Sequence, residues 1–275
     1  MSIAESKSNT LPKSKVQLIL EQGVATENIR RLLPEPYRPH LERYISRAAL
    51  TFATSKSNSL LMKCSERSII QAVCKAAEYG MALDDKLVYA IPHHNKIGEE
   101  DGKPIKEWQV EATFDYKALV AVARRHKIVS DVRAQDVREK DEFDWYEEDF
   151  KQRYKFRKFL EGDRGEVVGV FAVVTFPDGT HRFEHMAHCE LRQVRSASKA
   201  PNSPAWKNWE GQMYQKAVVK RVLKTCQDDP VLSSLLDYDN SEFDLEKDAT
   251  PTARPISELN DEILGIERHA EQQAD

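Results

Sequence analysis

Apolar positions along the chain change their period several times, and each change marks an element. From Ser65 to Gly80, Ile69, Ile70, Val73, Cys74 and Ala77 recur at helical spacing. Upstream, residues 11–54 read as helix in pieces, interrupted around Gly23 and at "LPEPYRPH". This helical third gives way to "KLVYAIPHHNK" and "KEWQVEATF", two strand-like runs joined by the polar loop "IGEEDGKP", and then to a helix in "DYKALVAVARRHK". Further strand-like runs follow in "IVSDVRAQDVRE", "EFDWY", "QRYKFRK", "VVGVFAVVTF" and "THRFEHMA", with Pro177-Asp178-Gly179 as a turn between the last two. A helix is predicted over 204–226, opened by Ser203 as N-cap and Pro204 at the first helical position. Beyond it, "DYDNSEFDLEKDATPTARP" has a disorder-like composition, and a short amphipathic piece sets Leu259, Ile263, Ile266 and Ala270 on one stripe. The fold class expected is α+β, with a helical N-terminal part, a β-hairpin, a long basic helix and a flexible acidic C-terminal tail.

Length and composition add bounds. The 275 residues, 40% of them hydrophobic, suffice for one sizeable core, and no apolar run is long enough to span a bilayer. The N-terminus lacks the apolar stretch of a secretory signal, so a cytoplasmic location is expected. Cys64, Cys74, Cys189 and Cys226 have no CxxC spacing and read as small buried apolar residues rather than as disulfides or zinc ligands.

Charge changes the picture more. The formal net charge is −4, but residues 228–275 hold fourteen acids against Lys247, Arg254 and Arg268, a net of −11 that leaves +7 on the rest. A basic body can attract a polyanion while an acidic tail engages something else. Much of the excess lies in residues 192–224, with eight bases against Glu210 alone. On a helical wheel Val218, Val219, Val222 and Leu223 share one side of the predicted helix. Lys216, Lys220 and Lys224 stack on the other with Arg221 beside them, and Trp209, Met213 and Trp206 lie close in angle. One face is expected in the core and the other is expected to be cationic; the plainer alternative is a solvated lysine face with the tryptophans packed inside.

The loop before this helix adds Arg192, Arg195 and Lys199. A second basic surface is expected on the helix after the hairpin, where Lys117 and Arg124 share a face with Arg125 at its edge, and His93, His94 and Lys96 are near it in sequence. Enzymatic patterns are weak. "GEEDGKP" misses the P-loop by one residue and lacks its hydroxyl. "HMAHC", from His185 to Cys189, has no matching second pair for zinc. Glu111, Asp115 and Lys117 could serve a metal-dependent nuclease, the alternative activity, although Asp115 stands where a helix cap is wanted.

The order "YGMALDDKLVYAIPHHNK", "WQVEATFDYKALVAVARRHKIV", "VREKDEFDW" and "LRQVRSASKAPNSPAWKNWEGQMYQKAVVKRVLK" resembles the RecT family of phage recombination proteins, over roughly residues 40–226. The resemblance implies a β-β-β-α core and a non-enzymatic protein that anneals single-stranded DNA without ATP. It also implies homo-oligomeric rings or helical filaments on single strands and annealed duplex, and work beside a partner exonuclease. Residues 1–35 are then a helical segment with protomer contact as its candidate role, 36–227 the annealing core, and 228–275 a partner-docking tail, with the host single-strand-binding protein as a further candidate. No cofactor is expected, and Mg2+ would assist pairing rather than act as a catalytic metal. The expected phosphate contacts are Lys117, Arg124, Arg195, Lys199, Lys207, Lys216 and Lys220, supplemented by Lys96, Arg125, Arg192 and Lys224. Trp206, Trp209 and Met213 are candidates for base contact or for packing.

Overall fold

A computed structural model describes residues 14–84, 86–100, 103–149, 151–198, 201–226 and 229–241. Helices and strands come in separate runs, as in an α+β protein, and two compact units meet in sequence at Thr113 and Phe114. That division falls inside the segment 36–227 expected to form one core.

In the first unit, α1 (Lys15–Leu20), α2 (Gly23–Leu32), a 3-10 turn over Glu35–His40, α3 (Leu41–Thr54), α4 (Asn58–Leu61) and α5 (Glu66–Glu78) form the helical part. Ser14 caps α1 by accepting the Gln17 amide at 3.1 Å. Leu20, Ile29, Leu33, Phe52, Leu61 and Ile69 are completely or almost completely buried between the helices. Gly80 ends α5 with φ 61°, a conformation open to glycine, and its carbonyl accepts the Tyr44 hydroxyl at 2.9 Å.

The hairpin β1 (Val88–Glu100) and β2 (Lys103–Phe114) is longer than expected, because residues 97–100 and 103–104, read above as loop, are strand. Its base is apolar, with Val88, Ala90, Val110 and Ala112 buried, while Ile97 and Ile105 near the tip are exposed. Both faces meet water there, so the polar ladder has no apolar alternation to betray it. His94 stacks on Trp108 at 4.8 Å, and the Asn95 amide donates to Gln109 at 3.0 Å.

In the second unit, α6 (Tyr116–Arg125) precedes a three-stranded antiparallel sheet of order β3 (Asp131–Arg138), β6 (Val167–Thr175), β7 (His181–Ala187). Asp136 opposes Val170 and Phe171 opposes His185, which sets the faces. One face is covered by α7 (His188–Ala197) and α9 (Glu210–Lys224). The other carries Val137, Phe171, Val173 and Phe183, against which Phe143 and Phe156 of the hairpin β4 (Glu142–Glu148) and β5 (Lys151–Arg157) pack. Every strand expected from 131 onward is present. The β6–β7 turn closes on Gly179, φ 83°, with the Phe176 amide donating to the Thr180 carbonyl at 2.9 Å.

The segment before β6 is pinned by charge. Arg164 lies 3.3 Å from Asp136 and 2.5 Å from Asp141, and Arg138 holds Asp136 at 2.7 Å. Burial alone would raise both carboxyls, but these guanidinium contacts outweigh it and hold each below the usual carboxylate range.

Two expectations about the C-terminal third are corrected. The predicted helix 204–226 is two pieces, α8 (Pro204–Asn208) and α9, broken at Trp209 with φ −135° and ψ 33°. Helix continues past residue 228 as α10 (Pro230–Ser241), whose Leu232, Leu235 and Leu236 are wholly buried. Three leucines at i, i+3 and i+4 mark that helix, but the acids around them mask it in composition. The stripe from Leu259 to Ala270 lies outside the described residues. Cys64, Cys74 and Cys226 are buried as expected, and burial pushes the first two thiols up to about 11 and about 12, whereas Cys189 is exposed.

Candidate nucleic-acid interface

Helix α9 lies on the sheet through Val218, Val219, Val222 and Leu223, all fully buried. Its edges are keyed by polar contacts: the Gln215 amide donates to Asp136 at 3.3 Å, and Arg221 pairs with Glu190 at 2.8 Å and Glu184 at 3.4 Å.

The opposite face departs from expectation. Lys216 and Lys220 are 9% and 8% exposed. Lys216 Nζ donates to Asp239 Oδ1 at 2.7 Å and to the Phe114 carbonyl at 3.0 Å. Lys220 Nζ sits 2.6 Å from Asp239 Oδ2, off the hydrogen-bond direction, and donates to the Asp239 carbonyl at 3.3 Å. The Asp239 carboxylate is entirely buried. The geometric expectation of a solvated lysine rail is therefore corrected, because α10 covers that side of the helix and ties two of its three steps to one carboxylate. Burial lowers the Lys220 ammonium below the usual lysine range against the pull of Asp239, and Lys216 and Lys224 add to the lowering. Lys224, at the end of the row, is exposed.

Next to this latch is a cavity of about 200 Å³. Met186, Val194, Trp206, Met213 and Ala217 supply apolar walls, and Lys216, Lys220, Arg221 and Lys224 a cationic side. Trp206 is 2% exposed and packs as a core residue: its indole N–H donates to Ser198 Oγ at 3.1 Å and its ring meets Tyr214 edge-on at 5.4 Å. Arg195 lies over that ring at 5.8 Å, donates to the Pro201 carbonyl at 3.1 Å and pairs with Glu210 at 2.8 Å. Tyr214 also donates to Glu210, and burial reinforced by that carboxylate pushes its hydroxyl up to about 12. Of the two tryptophans, Trp209 is the accessible one, at 59%.

Helix α6 presents the second cationic surface as expected. Asp115 caps it by accepting the Lys117 amide at 2.9 Å, and Ala118, Leu119, Val122 and Ala123 are fully buried. Lys117, Arg124 and Arg125 are exposed, with Arg124 3.9 Å from Asp131. Arg192 and Lys207 are exposed on α7 and α8. Lys96, in the first unit, is exposed and pairs with Glu99 at 2.5 Å. Lys199 lies outside the described residues. Strand β5 adds a cationic row that the helix-centred reading missed: Arg153, Lys155 and Arg157 are exposed, and cations alternating with Tyr154 and Phe156 at period two were its signal.

The metal-dependent alternative finds no geometry among the described residues, where no group of three or more His, Cys, Asp or Glu side chains is placed to hold an ion. Asp115 is engaged as a cap, and Glu111 stands 3.6 Å from His93. His185, of "HMAHC", lies against Phe143 and Trp145 at 5.3 and 6.2 Å, and burial lowers its pKa. Among the described residues no helix is long and apolar enough to cross a membrane.

Protein RecT of Escherichia coli (strain K12) is 30% identical over 167 residues, a stretch that covers 60% of this chain and 59% of that protein. Residues 46–252 match the RecT family model, from within α3 past the end of α10. With more than half its length matched, the chain belongs to the RecT family.

Proposed function

We propose that this chain binds single-stranded DNA through the phosphate backbone and pairs complementary strands without nucleotide hydrolysis, in phage recombination in the cytoplasm of a bacterial host. The observation that carries the reading is the exposed cation set Lys117, Arg124, Arg125, Arg192, Lys207 and Lys224 in a chain of this family. Annealing requires that two repelling strands be neutralised while their base edges stay free. Flexible cations release counterions from phosphates without reading sequence, and base pairing supplies the choice. Trp209 is an accessible aromatic for stacking, and Met213 lines the cavity beside it in sequence. The chain has no P-loop, which favours pairing driven by binding alone. Mg2+ would act by screening the strands. Self-association into rings or filaments would align many short footprints on one strand, and a partner exonuclease or a host single-strand-binding protein would supply or vacate that strand.

Labelled complementary oligonucleotides incubated with the protein, with and without ATP and Mg2+, test this. Duplex should form at the same rate without ATP. Strict nucleotide dependence would overturn the reading, and fragments in place of duplex would assign the nuclease alternative.

A further inference from the structure

The hairpin β4–β5 has two chemically different edges. Its register pairs Glu142 with Arg157, Asp144 with Lys155, Tyr146 with Arg153 and Glu148 with Lys151, and sets Phe143 opposite Phe156 and Trp145 opposite Tyr154. Opposed residues in an antiparallel pair share a face. The aromatic pairs point at the sheet, where Phe143 stacks on Phe171 at 5.4 Å and Tyr154 on Phe183 at 5.0 Å, so the charged pairs point away from it. On that outward face Glu142, Asp144 and Glu148 belong to β4, and Arg153, Lys155 and Arg157 to β5. Among the described residues neither strand has a third strand along its outer edge, and Glu142–Arg157, at 3.8 Å, is the one ion pair across the hairpin. Trp145, Tyr146 and Tyr154 remain 41%, 51% and 46% exposed.

An edge charged only to repel other strands would carry one sign, or a mixture, on both sides. Segregation by strand instead makes the acidic edge complementary to the basic one. We propose that hairpins of neighbouring copies pair edge to edge, β5 of one chain against β4 of the next. A copy translated across the strands brings β5 beside β4 in antiparallel sense, about 4.8 Å apart, with bases opposite acids. Such a head-to-tail contact leaves one edge of each sign free at the ends, so it propagates rather than stopping at a dimer. The exposed aromatics flank the new contact and bury further area there. This surface rests on the self-association part of the proposed function and is independent of its strand-binding part.

Two full-length variants, Asp144→Lys and Lys155→Glu, test it in DNA-free protein by sedimentation velocity, with circular dichroism confirming that each is folded. Each alone should self-associate roughly tenfold more weakly than the parent, because like charges then face each other across the contact. An equimolar mixture should recover assembly, since alternating copies again set opposite signs edge to edge. A defect within one hairpin cannot be repaired by mixing. The proposal is overturned by a monomeric parent, by single variants that assemble normally, or by a mixture no better than its components. It is also overturned if Lys155→Glu loses strand binding while assembling as before, which would assign the β5 cations to DNA. Oligonucleotide annealing is scored separately, so its failure leaves this result readable.

Discussion

Helices α6 and α9 make the same statement in sequence and end up in different circumstances. Each sets an apolar stripe against a cationic one at helical spacing. On α6 the cations Lys117, Arg124 and Arg125 reach solvent; on α9 Lys216 and Lys220 are enclosed by α10 and held by Asp239. An amphipathic pattern identifies the side of a helix that need not be core. It does not say whether water, nucleic acid or another helix occupies that side. Lys216 and Lys220 are structural first: two ammoniums and one carboxylate withdrawn from water depend on one another far more than an exposed pair does.

The comparison breaks most severely at Asp239. Asp239→Asn leaves two buried ammoniums without their carboxylate and should cost about 3–5 kcal/mol, read as a lowered urea midpoint. Replacing Lys216 and Lys220 by Met and Asp239 by Leu together should recover much of that loss. Comparable damage is expected at the neighbouring tryptophan. Trp206→Ala should cost about 3–5 kcal/mol by emptying a packed site, whereas Trp209→Ala should stay within about 0.5 kcal/mol and alter only the fluorescence change on adding single strands. If DNA quenches the Trp206 signal and not that of Trp209, the assignment of core and surface is reversed.

Charge reversal sharpens the contrast between the helices. Lys117→Glu with Arg124→Glu should leave the unfolding midpoint nearly unchanged and weaken binding to all sequences alike. The slope of log affinity against log salt should fall by roughly 0.7 per lost contact. The same reversal at Lys216 and Lys220 should appear first as lost stability. A shallower salt slope in a fully folded α9 variant would return those lysines to the DNA surface.

The smallest effect is in pH. Lys220 is held below its unfolded value chiefly by burial, so between its folded and unfolded pKa the unfolded chain binds more protons and stability rises with pH. Subtracting the profile of Lys220→Met should isolate an upward trend approaching pH 10.5. No difference between the two profiles would mean that the ammonium is as well solvated as an exposed lysine.

How much of this was legible in the chain depends on the range of the interaction. The turn at Gly179, the cap at Asp115 and the stop at Gly80 are local events within a few residues, and each lies where the residue types place it. The strand runs from β3 to β7 were legible for two reasons: β4 and β5 alternate aromatic and charged residues, and β6, covered on both faces, is a near-continuous apolar run. The distal half of β1–β2 was not, since a ladder wet on both faces leaves no period-two signature. Helix α10 was hidden for the opposite reason: Leu232, Leu235 and Leu236 sit among acids whose average suggested a solvated tail. Strand β5 shows its cations at period two, a signal that lies in the strand and in neither basic helix.

By itself, then, the sequence determined the type of most elements, the tight turns between them and the azimuth of each charge on its own helix or strand. Those are set by backbone sterics and by side chains a few positions apart. Tertiary structure alone decided which of those charges meet water. Lys216 and Asp239 are twenty-three residues apart, and Lys216 and the Phe114 carbonyl one hundred and two, so their meeting depends on how α6, α9 and α10 pack. Exposure belongs to that packing, and no helical wheel contains it.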